Sequence, residues 1–160
     1  MKNRGFSLIE LIVVVAIMAV ALTVGGYALS AISLANAKNC ATEIKSSLEK
    51  TRTQACSTDK GTDKATLTLK RDSASGKVLI INYDGSSKEI GGKTVSVKYR
   101  TGTGNSDVYQ DLGTNVLTFG FNRSTGGFSD DTSVRQIQIS SGGRTYTLTC
   151  YALTGKIKME

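Results

Sequence analysis

The chain has 160 residues, 39% hydrophobic and 21% charged, with 17 glycines, three cysteines, no proline and no histidine, and a formal net charge of +7. Such a balance belongs to a folded chain with one small domain and excludes a disordered or collagen-like one. Without histidine the commonest general base and metal ligand are missing, and the mildly basic surplus fits either plain solubility or a patch for an anionic partner.

The first 37 residues stand apart. Lys2 and Arg4 precede Gly5 and Phe6, and the 27 positions at 11–37 carry no charge; Thr23, Ser30, Ser33 and Asn36 are the polar interruptions. A bilayer core takes about 20 apolar residues of helix, so residues 6–37 are expected to form a transmembrane helix. The basic residues before it favour an N-terminus left in the cytoplasm. Glu10 does not fit, because a carboxylate at membrane depth costs about 2.5 to 3.5 kcal/mol on insertion scales and usually has a partner or a task. Gly25 and Gly26 lie mid-helix, where glycine costs about 1 kcal/mol relative to alanine; they predict either local unwinding or tight packing against a neighbouring helix.

Gly5, then Phe6, then Glu10 four residues on, at a basic-to-apolar boundary, with Ser7, Leu8 and Ile9 between, resembles the type IV prepilin leader. That resemblance implies cleavage after Gly5 by a membrane-embedded prepilin peptidase and methylation of the new amino terminus at Phe6. Residues 1–5 are then a removed leader, and 6–37 serve first as membrane anchor and later as filament core. A secretory signal peptide, with its small-residue cleavage site after the apolar stretch, has no use for Glu10, and neither has a simple anchor.

Beyond the apolar run, Ala37, Cys40, Ala41, Ile44, Leu48, Thr51 and Ala55 recur with a period near 3.6, which predicts that the helix continues as an amphipathic stretch over 38–56. Residues 57–64 (STDKGTDK) read as the connection that ends it. Everything from 65 to 160 reads as strands: 65–71, 78–83, a short piece at 88–90, 94–99, 116–121, 134–140, 144–153 and 156–159, with 100–113 as a loop. Asp84-Gly85 and Gly142-Gly143 are the clearest turn signals. In the penultimate strand Tyr146, Leu148, Cys150 and Ala152 share one side. The expected fold is α+β: a long N-terminal helix packed on an antiparallel sheet of about seven strands, a pilin-like roll, with 38–160 as its globular domain.

If Cys40 and Cys56 share one helix, a rise of 1.5 Å per residue sets them about 24 Å apart, well beyond the roughly 7 Å limit for a disulfide. Cys150 then pairs with one of them, Cys56 being favoured because a helix end and a strand can approach closely, or all three remain buried thiols.

The segments 119–128 (FGFNRSTGGF) and 145–159 (TYTLTCYALTGKIKM), with Thr154, Gly155, Lys156 and Ile157 at the final turn, are similar to the endings of minor pilins and pseudopilins of the GspH/FimT type. Major pilins usually close a C-terminal loop with a cysteine pair, and only Cys150 lies in the last third here.

No catalysis is expected. The cysteines lack zinc-site spacing, the glycine-rich stretches lack a phosphate-loop Lys-Ser/Thr pair, and Asp59/Asp63, Asp107/Asp111 and Asp130/Asp131 read as solvated loop residues, with no metal or cofactor implied. Three functions remain. The first is a structural subunit, minor or tip-located, of a type IV pilus or a related type II secretion or DNA-uptake filament, with prepilin peptidase and other pilin subunits as partners and Glu10 paired to the Phe6 amine of a neighbour. The second is a DNA-binding minor pilin using Arg144, Lys156, Lys158, Lys98 and Arg100 on phosphates. The third is an anchored extracellular domain that never polymerises. The expected location is the cytoplasmic membrane, then an extracellular or periplasmic filament.

Overall fold

A computed structural model of the chain describes residues 7–57, 65–102, 108–129 and 133–160, and for 24–30 it gives the course of the backbone alone. The expectations for Gly5, Phe6, Asp59, Asp63, Asp107, Asp130 and Asp131, and for most of the 57–64 connection, lie outside the described residues. The chain divides into two compact units, Met1–Ile32 and Ser33–Glu160, and helix α1 (Leu8–Ser57) contributes to both.

In the first unit α1 starts at Ser7, whose carbonyl accepts the amides of Glu10 at 3.0 Å and Leu11 at 3.2 Å. The helix then runs unbroken through Gly25 and Gly26, so the backbone does not unwind there. Its large apolar side chains, from Leu8 and Ile9 through Ile17 and Met18 to Leu22, are between 44% and 78% exposed. Thr23 disposes of its hydroxyl within the helix by donating to the Val20 carbonyl at 2.7 Å, a back-bond that lets a polar residue sit in an apolar run. Among the described residues no helix is long and apolar enough to cross a membrane.

In the second unit the amphipathic pattern becomes a buried face. Ala37, Cys40, Ala41, Ile44 and Leu48 are fully buried, and Thr51 and Ala55 nearly so. Burial of Ile44 and Leu48 stabilises the fold by about 1.5 to 3 kcal/mol each. Thr51 is tolerated because its hydroxyl donates to the Ser47 carbonyl at 2.8 Å.

Among the described residues nine strands follow, all antiparallel: β1 (Thr66–Arg71), β2 (Val78–Asn82), β3 (Ser87–Ile90), β4 (Ser96–Thr101), β5 (Gln110–Asp111), β6 (Leu117–Gly120), β7 (Val134–Ser141), β8 (Arg144–Cys150) and β9 (Ile157–Met159). They form two sheets, with orders β3-β2-β1-β6 and β5-β4-β7-β8-β9. This corrects the expected single sheet of about seven. The division falls at the glycines after β3: Gly91 takes φ +69°, and the chain leaves the first sheet to pair β4 with β7. β6 later returns to lie beside β1. The two-residue β5, which pairs with β4 through Lys98 and Tyr99, falls in a segment expected to be loop.

Turn chemistry follows the sequence closely. Gly85 closes β2–β3 at φ +79°, and Gly142 and Gly143, at +59° and +79°, form the β7–β8 hairpin, where two consecutive positive φ values match the twist of the flanking strands. Leu67, Leu69, Ile80, Val97, Phe119, Ile137, Ile139 and Leu148 join the helix face in one core. Arg71 ties the sheets together, donating to the Gly76 carbonyl at 2.8 Å and to the Val95 carbonyl at 3.0 Å.

Candidate functional site

Two sets of residues were singled out by sequence, the start of α1 and the basic residues of the strand region. Glu10 lies in the first turn of α1, three positions after the Ser7 that begins the helix. An acid in a first turn is favoured by the unpaired amides and dipole there, and Ser-x-x-Glu has the spacing of a capping box. The box is not closed: Glu10 is exposed, and its carboxylate makes no hydrogen bond or ion pair among the described residues. Its neighbours Leu8, Ile9, Leu11, Ile12, Val13 and Val14 are all exposed apolar side chains. The first turn therefore carries an unpaired acid on an otherwise apolar surface. Gly5 and Phe6 lie outside the described residues.

Strand register decides which basic residues meet. Arg100 pairs with Gln136, Gln136 with Thr149, and Thr149 with Lys158, so these four form one row across the polar face of the second sheet. Lys98 is in the adjacent row, between Asp111 and Gln138. Lys156 lies opposite Tyr151, whose amide donates to its carbonyl at 2.9 Å, and two residues from Lys158 it falls on the same side. Arg144 does not join them. It pairs with the buried Ser141, on the side of Ile139 and Leu148, and is exposed where the hairpin leaves the sheet.

The four that share a face are also partly committed. The Arg100 guanidinium lies 5.9 Å from the centre of the Tyr109 ring, and the Tyr109 hydroxyl donates to Gln136 at 2.6 Å. Lys158 donates to Glu160 at 2.5 Å, and that hydrogen bond and charge hold its ammonium above the usual lysine range. Asp111 stands across from Lys98.

All three cysteines are free, so the expected Cys56–Cys150 bridge is not made. Cys56 is exposed at the end of α1, with its sulfur 3.3 Å from where a Cβ on Gly126 would stand. Cys150 is buried on β8 opposite Ile157. Burial pushes the thiols of Cys40 and Cys150 up to about 12, despite the opposing charges of Arg71 and Arg135 respectively.

Arg52, which falls outside the apolar period of the helix, donates through Nε to the Gly126 carbonyl at 3.0 Å, joining α1 to the loop after β6. The Thr154-Gly155 turn packs on the same carbonyl: a Cβ at Gly155 would stand 1.9 Å from the Gly126 oxygen. No local pattern announces such a contact between residues 74 apart in the chain. The Ser7-x-x-Glu10 spacing, by contrast, was visible in the sequence.

One comparison with known proteins bears on the start of α1. Residues 1–26 match the prokaryotic N-terminal methylation motif. The comparisons with curated proteins and with solved structures returned no match. The methylation motif is the type IV pilin-like prepilin leader, and it covers Gly5, Phe6, Glu10 and the first turns of α1. It leaves the strand region outside its bounds. Within the motif, Glu10 is the one position with both a chemical peculiarity and a described geometry.

Proposed function

We propose that this chain is a structural subunit, minor or tip-located, of a type IV pilus or a related type II secretion or DNA-uptake filament. The observation that carries the proposal is Glu10: an exposed carboxylate, unpartnered among the described residues, in the first turn of a helix with an apolar surface, inside a methylation motif. The precursor is held in the cytoplasmic membrane by the apolar part of α1, prepilin peptidase removes residues 1–5, and the helix passes from lipid into a bundle of like helices. Moving apolar side chains from lipid to other apolar helices changes their free energy little, so the step needs a specific partner more than a hydrophobic drive. Glu10 supplies it. The amine created at Phe6 and the Glu10 carboxylate of a neighbouring subunit are each costly to bury alone and compensate one another when paired, which sets axial register. The minor or tip-located role is supported by the GspH/FimT-like sequence at 145–159.

The test is Glu10→Ala. Cleavage after Gly5 is expected to proceed, and incorporation into sheared filaments to fall by more than tenfold, as loss of a buried ion-pair partner costs about 3 to 5 kcal/mol. Normal incorporation of the variant would remove Glu10 from assembly, and absence of the parent chain from the sheared filaments would leave the non-polymerising anchored domain as the better account. The DNA-binding alternative gains no support from the strand region, since Arg144 is on the other side of the sheet and Lys158 is paired with Glu160.

A further inference from the structure

The uncharged run of the sequence stops at Lys38, five residues and about 7.5 Å of helix rise after α1 enters the unit Ser33–Glu160 at Ser33. Two loops of that unit meet the helix at this level. A Cβ on Gly92 would stand 3.0 Å from Asn36 Nδ2, and one on Gly91 3.3 Å from the Cys40 sulfur, so the residues after β3 lie against the turn of α1 that contains Lys38. The Thr94 and Ser141 hydroxyls are 3.2 Å apart, which brings the β7–β8 hairpin to the same end. Each of the three segments presents a cation there: Lys38, Lys93 and Arg144.

All three are exposed and none makes an ion pair among the described residues. Other charges at this end are engaged. Glu43 pairs with Lys88 at 2.8 Å and Glu89 with Lys77 at 2.9 Å, the Arg71 guanidinium is held by two backbone carbonyls, and the Asp72 carboxylate caps the Ser75 amide at 2.7 Å. Arg144 is exposed here, on a glycine hairpin whose Gly143 has nothing within 4 Å of a would-be Cβ.

We propose that Lys38, Lys93 and Arg144 form a collar that rests on the anionic lipid headgroups of the membrane holding the apolar helix. The inference rests on the membrane-anchored precursor proposed above, and needs only that the chain leaves the bilayer where its uncharged run ends. Lysines and arginines at an anionic surface each favour apposition about fivefold, three of them about a hundredfold together, within a Debye length of the headgroups. The collar holds the unit against the bilayer before assembly and releases it without any covalent change when the helix is drawn into a filament.

The experiment uses the full chain reconstituted into vesicles of phosphatidylcholine alone or with about one third phosphatidylglycerol, with flotation to score insertion and hydrogen exchange to score apposition. In the anionic vesicles, amides at 92–94 and 142–145 are expected to exchange about tenfold more slowly than in neutral ones. The difference should vanish in about 0.5 M salt and in the variant K38Q/K93Q/R144Q, whose β7 amides should stay as protected as those of the parent. Equal exchange in the two lipids, with the chain floating in both, overturns the collar and leaves the anchor intact. Failure to float with either lipid overturns both. Persistence of the slowing in the triple variant removes these three residues from the contact.

Discussion

Substituting Gly155 by alanine tests how the end of the strand region is built. Gly155 has φ +62°, a left-handed conformation that costs an alanine about 1 to 2 kcal/mol. Gly85, at φ +79° with nothing within 4 Å of its would-be Cβ, incurs that same conformational cost and no other. At Gly155 the new methyl group would stand 1.9 Å from the Gly126 oxygen, so the carbonyl or the turn must move by more than an ångström. That movement disturbs the Arg52–Gly126 hydrogen bond at 3.0 Å, worth about 1.5 to 3 kcal/mol for a charged donor, and strains the Phe128–Ala152 backbone bond at 2.8 Å. The sum is about 3 to 5 kcal/mol, a large fraction of the about 5 to 15 kcal/mol typical of a domain. With a urea slope of about 2 kcal/mol per molar, the unfolding midpoint of a fragment covering 33–160 should fall by about 2 M for G155A and about 0.5 M for G85A. Equal shifts in the two variants would refute the close approach of the two loops and the role of Arg52 in fixing them.

Cysteine chemistry gives a second expectation. At pH 8 iodoacetamide should modify Cys56 readily, while Cys40 and Cys150, buried and with thiols raised to about 12, should react only after denaturation; peptide mass spectrometry reads the order, and modification of Cys150 together with Cys56 would contradict it. Asp72 gives a third. The Ser75 side chain and amide hold its carboxyl below the usual aspartate range, so its contribution to stability is full above the unfolded pKa near 4 and is lost as pH falls through the lower folded value. Urea midpoints of the parent and of Asp72→Asn should therefore differ at pH 6 and converge toward pH 2; a gap that widens in acid would reverse the sign.

Much of this was legible in the chain itself, for physical reasons. The helix face at Ala37, Cys40, Ala41, Ile44, Leu48, Thr51 and Ala55 could be read because a 3.6-residue period is a one-dimensional record of burial, and the turns at Gly85 and Gly142-Gly143 because only glycine adopts those φ values freely. Strand partners were not legible. Alternation shows which residues of a strand share a side but not which strand lies next to it, so the separation into two sheets at Gly91-Gly92 and the return of β6 to β1 were hidden. β5 escaped because Gln110 and Asp111 are both polar and too few to alternate. The same limit governs the basic residues: Lys98, Arg100, Lys156 and Lys158 meet through the register of four strands, and Arg144 is excluded by the parity of a single hairpin. Glu10 was legible because one acid in an apolar run is a local anomaly, while the link from Arg52 to Gly126 depends on where a distant loop comes to rest.

The mass of the N-terminal peptide in the sheared surface fraction reports at once on the proposed processing at Gly5-Phe6 and on the proposed entry into a filament. The peptide is expected to begin at Phe6 and to be heavier by one methylene group than the unmodified sequence. A chain that still begins at Met1, or one that stays wholly with the membranes when filaments are sheared away, would contradict the account.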